Sequence, residues 1–427
     1  MKLLITAALV FFQGSALYSQ KKEPFKLKDV LSISLKNNIS LLETEQSIVV
    51  AKQQVREARL LFLPQIYFTG DLARSDVESP AILGNELSYR YIDTSYDNKY
   101  LYGFRGTLLQ PLYTGGRTTK TLELSKTAFN QEKIKYEAAR QEVVYKAKKH
   151  FYSALFYKNL LQEARKHYEE TRAVFSRMKK GSEYYLEAVR DEMRMKDCLD
   201  EAGREYELAL ISLMETMNLE PEPGFDVEGE FEPVILKDAD LNKSVISAME
   251  RRPELRSELY QAQIDNIYVN LAMMRKYPNF YLGVSYDVFS DSYSSLKSPA
   301  LRKENFITYV SIQYPFSYDL WTNVQRKKAK ERQSELRRIQ MEDEIKFDVM
   351  RAYKDYSFYT SKCAEYSVKA GEMGELLRSA DSQNGISEIR ALKSSYEFRK
   401  ELLTNVHRQI SSLIELEKSQ ALEITAP

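Results

Sequence analysis

Few side chains in this sequence could do chemistry that a fold does not need for itself. There are three histidines, His150, His167 and His407, and two cysteines, Cys198 and Cys363. Zinc sites draw their ligands from closely spaced Cys and His residues, and none of these five stands at such a spacing. No Ser-His-Asp arrangement, no carboxylate pair in a Gly-rich setting and no phosphate loop is present either. The reading is therefore of a protein that is not an enzyme, with no catalytic, cofactor or metal residue assigned. Cys363 falls on an apolar stripe, where cysteine serves as a small core hydrophobe. Two glycines stand out instead: Gly181 and Gly385 each end a very long helical stretch, and a shorter helix leads away from each. A tight turn between helices commonly needs positive φ, which glycine adopts without cost.

The bulk composition narrows the class of partner. Basic and acidic residues number 62 and 61, leaving a net charge of +1. A nucleic-acid binder normally carries a basic excess, so no nucleic acid is expected. Glycine (15) and proline (12) are sparse, whereas tyrosine is abundant (30) beside a single tryptophan. Long helices with aromatic-rich inserts would give such counts.

Lys2, the apolar run Leu3 to Phe12 and the small residues Gly14, Ser15, Ala16 and Ser19 read as an export signal, with cleavage expected after Ser19. Beyond it there is no apolar run near the roughly 18–20 residues that a membrane helix needs. A membrane-inserted form must then use closed β-structure.

The elements that position the two glycines repeat. A shift of about 214 positions aligns residues 27–68 with 241–282 without a gap. Leu27 meets Leu241, Leu41 meets Leu255, Val55 meets Val269, Ala58 meets Ala272 and Pro64 meets Pro278. Each copy runs as a helix of about 28–62 or its counterpart, then a proline, then an alternating aromatic segment. The segment 104–113 is answered by 306–318, each with a proline (Pro111, Pro315) toward its far end. Long helices of about 115–180 and 319–383 follow, and a 65-residue helix is about 100 Å long. Boundaries follow as 1–19 signal, 20–217 first repeat, 218–240 linker and 241–427 second repeat, each repeat reading helix, two strands, long helical hairpin.

In the second long helix Ile345, Val349, Ala352, Tyr356, Tyr359, Cys363, Tyr366, Ala370, Met373, Leu377 and Ala380 alternate steps of four and three, the spacing of a coiled-coil seam. In the first, Val143, Ala147, Phe151, Ala154, Tyr157, Leu161, Ala164 and Tyr168 run closer to 3.6, which suits broader packing. The strands expected at about 65–76, 99–112, 279–290 and 305–317 are near the length of tilted bilayer strands. Tyr67, Phe68, Tyr100, Tyr102, Phe104, Tyr113, Phe280, Tyr281, Tyr309, Tyr314 and Phe316 fit interfacial aromatic girdles toward their ends. Four strands cannot close a barrel, so several subunits must pool them.

These residues resemble the outer membrane efflux protein family, of which TolC is representative. The resemblance is carried by LKDVLSISLKNNISL, ARLLFLPQIYFTG, LLQPLYTGGRTTKTLELSKTAF, RRPELR at 251–256 and the paired glycine turns, and it covers essentially the whole mature chain. It implies an α+β membrane protein, internally duplicated, with a long α-helical barrel of coiled-coil hairpins and a transmembrane β-barrel shared between the subunits of a homotrimer. It also implies a passive outer-membrane exit duct for a tripartite efflux pump or type I secretion system, with a long periplasmic extension. The partners would be outer-membrane lipid, a periplasmic adaptor (membrane fusion) protein and an inner-membrane transporter; no cofactor is implied. The adaptor would dock at the hairpin ends, Gly181 and Gly385. Family members carry an Asp six residues after each tip glycine; here Glu187 takes that place after Gly181, a candidate periplasmic gate, but Ala391 takes it after Gly385. The second repeat also lacks the double glycine, reading PFSYDLWTN after its strand, so its turn into the helix must be made differently. The competing reading, a structural periplasmic coiled-coil or adaptor protein, predicts no barrel.

Overall fold

The computed structural model describes residues 24–74, 82–85, 88–91, 100–178, 184–221, 224–236, 240–290, 292–315, 317–379 and 385–422. The expected signal at 1–19, Gly181, Phe316 and Ala380 lie outside them.

The helices begin as the repeat requires. Helices α1 (Leu27–Asn37) and α2 (Ile39–Leu60) precede β1 (Gln65–Arg74), a short hairpin of β2 (Ile82–Asn85) and β3 (Ser88–Tyr91), and β4 (Tyr100–Tyr113). The hairpin α3 (Arg117–Arg177) and α4 (Tyr185–Thr216) closes the first copy. The second copy runs α5 (Leu241–Arg251), α6 (Pro253–Met274), β5 (Asn279–Ser290), α7 (Tyr293–Leu296), β6 (Lys303–Gln313), α8 (Leu320–Ser379) and α9 (Gly385–Ser419). One expectation needs correction: the single helix over about 28–62 is two helices. Asn38 leaves helical geometry with ψ 117° and its side-chain oxygen accepts from the Leu41 amide at 3.1 Å, capping α2. In the second copy Arg252 breaks out with ψ 120° because Pro253 disfavours helical backbone at the residue before it.

The chain forms two compact units, and each draws on both repeats. One contains Glu43–Ala138 and Pro253–Glu344, and with them the sheet. The sheet is antiparallel, in the order β1-β4-β5-β6, with β2 and β3 paired separately. Its register places Phe68, Gly106, Tyr286 and Phe306 at one level, and Ile66, Leu108, Val284 and Thr308 at the next. Side chains alternate along strands, so one face carries Ile66, Phe68, Leu72, Phe104, Leu108, Val284, Phe306, Val310 and Ile312. The other carries Thr69, Asp71, Arg105, Thr107, Ser285, Asp287 and Asn305. The apolar face is open: Phe68 is 87% exposed and Phe306 71%. On the polar face Arg105 Nε donates to Asp287 Oδ1 at 2.5 Å with both side chains buried, tying the first repeat to the second through β4 and β5. Apolar outside and polar inside is the signature of a transmembrane barrel wall. Tyr100, Tyr102, Tyr113 and Phe280 stand at strand ends as expected, while Phe68, Phe104 and Tyr309 are inside the strands. Among the described residues no helix is long and apolar enough to cross a membrane.

Two different turns lead from strand to long helix. After β4, Gly115 (φ 63°) and Gly116 (φ 80°) adopt left-handed backbone, and a Cβ on Gly115 would lie 2.7 Å from Cβ of Tyr277. After β6 the sequence has no glycine pair: Ser317 donates to the Asp319 carboxylate, and the helix starts with the backbone carbonyl of Asp319 accepting from the Asn323 amide at 2.8 Å.

The other unit holds α1, α4, α5, α9 and the greater part of α3 and α8. Its principal core gathers Val30, Ala147, Phe151, Ala154, Leu155, Leu213, Met217 and Val227. The seam expected on α8 is inside: Ile345, Val349, Ala352, Tyr356 and Cys363 are buried, and Tyr359, Tyr366 and Ala370 half-buried. Cys363 packs on Val406, Ile410 and Ile414 of α9. Both cysteines are free thiols.

The described residues of the stretch expected as a linker, 218–240, are pinned at several points. Phe25 pairs with Val227 in a parallel bridge. Asp226 accepts from Lys158 Nζ at 2.8 and 2.9 Å and from Tyr206 OH at 2.5 Å. Burial alone would raise the Asp226 carboxyl, but Lys158 and Tyr206 hold it below the usual carboxylate range. Farther on, Gln409 Nε2 donates to the Val234 carbonyl at 2.6 Å and Tyr356 OH accepts from the Leu236 amide at 2.8 Å. Side chains of α8 and α9 thus satisfy an extended backbone that has no strand partner of its own.

Candidate functional site

The ends of the two long hairpins are built from the last turns of α3 and the first turns of α4 and α9. Val174 of α3, Ala188 of α4 and Ile386 and Ile389 of α9 form a small buried cluster, with Phe175, Met178 and Leu392 packed on it. Phe175 and Tyr185 rings meet at 5.5 Å across the α3–α4 turn. This apolar contact is what brings the second hairpin against the first.

Gly385 is the first residue of α9. Glu187 stands in the first turn of α4, where the helix dipole favours an acid. Its carboxylate oxygen Oε1 accepts from Arg390 Nε at 3.0 Å and from the Arg390 terminal nitrogen at 2.7 Å. The pairing keeps Arg390 firmly charged. Arg390 was not legible in the sequence: it lies 203 residues from Glu187, one position before the Ala391 that occupies the family's acidic position. A second cross-hairpin pair, Arg177 to Glu388 at 3.7 Å, flanks it.

Behind these pairs lies a groove of about 430 Å³ between α3 and α9, lined by Glu163, His167, Val174, Leu392, Tyr396 and Arg399 among others. Arg399 donates to Glu163 at 2.8 Å across it. His167 is buried in its wall, and burial together with the nearby Arg399 pushes its imidazole down to about 4. Among the described residues no group of three or more His, Cys, Asp or Glu side chains could hold a metal ion.

A four-stranded sheet with one apolar, exposed face and helices of 61 and 60 residues are the parts to compare with known proteins. Residues 30–187 match the model of the family described as outer membrane efflux protein. The fold agrees over nearly the whole chain. CusC, solved in a study of folding and transmembrane channel formation, superposes with a TM-score of 0.75 at 15% identity, covering 92% of this chain and 91% of that one. The open-state outer membrane channel MtrE of Neisseria gonorrhoeae gives 0.73 at 15% identity, covering 92% and 88%. The outer membrane protein VceC of Vibrio cholerae gives 0.74 at 10% identity, covering 92% and 95%. No curated protein matches the sequence significantly. Residues 30–187 thus carry the family's pattern, and the chain as a whole has the fold of these outer-membrane channels.

Proposed function

We propose that the protein is the outer-membrane exit duct of a tripartite efflux pump or type I secretion system, carrying cargo passively from the periplasmic side to the exterior. The observation that carries this reading is the two-faced sheet. Its exposed apolar side chains, from Ile66 to Ile312, would be a liability in water and are what a bilayer requires. Its polar face would line the lumen. β1 and β6 are the edges of an open sheet, and edges in lipid must be paired, so a homotrimer pooling twelve strands is the fitting assembly. The family is one of channels, not of enzymes, and energy would come from an inner-membrane transporter reached through a periplasmic adaptor. A soluble periplasmic coiled coil would have no use for the apolar face. Heat-modifiable migration of the outer-membrane fraction, with crosslinking to three copies, is the test. A soluble monomer in the periplasmic extract would overturn the reading.

Within that duct the hairpin ends are the periplasmic mouth. Gly181 and Gly385 are the adaptor-docking positions, and Glu187 works as a gate element by holding α4 to α9 through Arg390. Replacing Gly181 and Gly385 together with bulky residues is expected to abolish export while trimer assembly and barrel insertion persist. Glu187→Gln keeps the shape and removes the charge, so the purified channel in a planar bilayer should open more often. Unchanged conductance would make Glu187 a solvated surface acid.

A further inference from the structure

Two of the three histidines lie in the seam between α3 and α9, in a reciprocal arrangement. His167 of α3 stacks on Tyr396 of α9, with ring centroids 5.1 Å apart and planes 3° from parallel. His407 of α9 stacks on Phe156 of α3, at 4.7 Å and 28°. The two contacts are separated by the same eleven positions on each helix, from 156 to 167 and from 396 to 407. That is three turns, about 16 Å, on helices running in opposite directions. Since α3 belongs to the first hairpin and α9 to the second, the two stacks bridge the hairpins.

Both sites favour the neutral ring. His167 Nε2 is buried and has no hydrogen-bond partner, and Thr171 Oγ1, one turn on, is in the same condition. A proton placed on that nitrogen would have no acceptor to receive it. The charges facing His167 are Glu163 from its own helix and Arg399 from α9; from α4, Cys198 and Glu201 act on the Tyr396 phenol against which it stacks. At His407, Nε2 lies 3.2 Å from Ser153 Oγ, and the charged groups acting on it are both cations, Lys149 of α3 and Arg408 of α9. Cation–π attraction to the stacked rings offsets part of the cost of charging, but the unpaired Nε2 at one site and the two cations at the other oppose it.

We propose that the His167–Tyr396 and His407–Phe156 stacks form an acid-released clasp between the two hairpins of each chain. Burial, first, and the neighbouring cations, second, push both imidazoles from 6.5 down to about 4. A depressed imidazole value means that the separated helices bind protons more readily than the closed seam does. The clasp is therefore at full strength above about pH 6.5 and weakens as pH falls toward 4.

Hydrogen exchange of the full-length protein in detergent, at about pH 7 and about pH 4.5 and corrected for intrinsic rates, reads the seam directly. Peptides over 153–171 and 392–410 should lose about fiftyfold or more in protection at the lower pH, while strand peptides over 100–113 hold theirs. The double variant H167F/H407F keeps a ring at each position and removes the titration, so its seam should change less than about twofold. The single variant H407F, which leaves His167 in place, should fall between the two. Seam protection that stays constant in the wild type, that falls equally in the double variant, or that falls together with the strands would overturn the clasp. The readout is independent of transport, so it stands or fails separately from the duct reading.

Discussion

The two repeats have kept the same skeleton and filled it differently. Helices α1 and α5, then α2 and α6, begin and end at equivalent residues, and β1 and β5 start at equivalent residues, under the shift of about 214. Burial follows the skeleton: Leu41 and Leu255, Val55 and Val269, and Ala58 and Ala272 are buried pair by pair. Yet Ala51 in the first copy is answered by Asp265 in the second, and both are buried. Asp265 has acquired neighbours to match, accepting from Gln261 at 3.1 Å and from Ser334 of α8. The strand-to-helix turns diverge likewise, two left-handed glycines in one copy and a Ser317–Asp319 turn in the other. Backbone geometry is held by what it must pack against, whereas the side chains at a buried or turning position need only agree with their own surroundings.

The sharpest way to break that equivalence is to exchange the buried pair. Ala51→Asp places a carboxylate where the second copy tolerates one but without Gln261 or Ser334 beside it. A buried charge without a partner costs about 3–5 kcal/mol, so heat-resistant oligomer should largely disappear from the outer-membrane fraction. The reverse change, Asp265→Ala, removes a buried acid and leaves Ser334 its bond to the Lys330 carbonyl at 3.2 Å. Its cost should be under about 1 kcal/mol, because deleting a polar group whose partner finds another is nearly neutral. Equal losses in the two variants would show that Ala51 and Asp265 are not structurally equivalent positions.

The turns come next. Gly115→Val combines left-handed backbone, costing about 1–2 kcal/mol outside glycine, with a Cβ that collides with Tyr277. Misfolding of the β4–α3 junction should follow, seen as protease cleavage near residue 115. Tyr318→Gly in the second turn, where the side chain is 92% exposed, should leave the protease pattern unchanged. If Gly115→Val is tolerated as well, the double glycine is not what sets the first turn.

Much of the skeleton was legible because it is periodic. The seam on α8 is visible as alternating steps of four and three, and from Ile345 through Cys363 it is buried except at the half-buried Tyr359. The four long strands show through the prolines and aromatics that bound them. The breaks at Asn38 and Arg252 leave no mark in the apolar spacing, which continues across them, although Pro253 is a local signal for one. The hairpin β2–β3 was missed since strands of four residues carry too little pattern to register. At the hairpin ends Glu187 stood out by its distance from Gly181, but Arg390 and the stacks of His167 and His407 depend on which helices meet. That is set by packing across hundreds of residues, for which a single sequence has no local marker.

The smallest expected difference lies at the start of α1 and α5. Asp240 caps α5, its carboxylate accepting from the Asn242 amide at 3.0 Å; the equivalent residue in the first copy is Lys26, whose side chain makes no cap bond. There the Lys26 amide donates to the Asp29 carboxylate at 3.2 Å and the Asp29 amide donates to the Lys26 carbonyl at 3.0 Å. An Asp-to-Ala change at a helix N-cap costs about 1 kcal/mol, so Asp240→Ala should lower the thermal midpoint of helix loss slightly. Lys26→Asp should work in the other direction. It supplies a side-chain acceptor to the amides of the first turn and replaces a cation with an anion at the positive end of the helix dipole, a gain of about 0.5–1 kcal/mol. Its backbone already suits a cap, with φ −92° and ψ 161° in the extended region, so no rearrangement is needed to form the bond. The nearby Asp29 carboxylate would oppose part of the gain by repulsion, an effect that added salt would screen. A midpoint that rises in Lys26→Asp at low salt and also at high salt, where the dipole gain and the Asp29 repulsion are both screened, is therefore the expected result. A fall in both conditions would mean that the first turn of α1 is held by Phe25 and its bridge to Val227 rather than by capping.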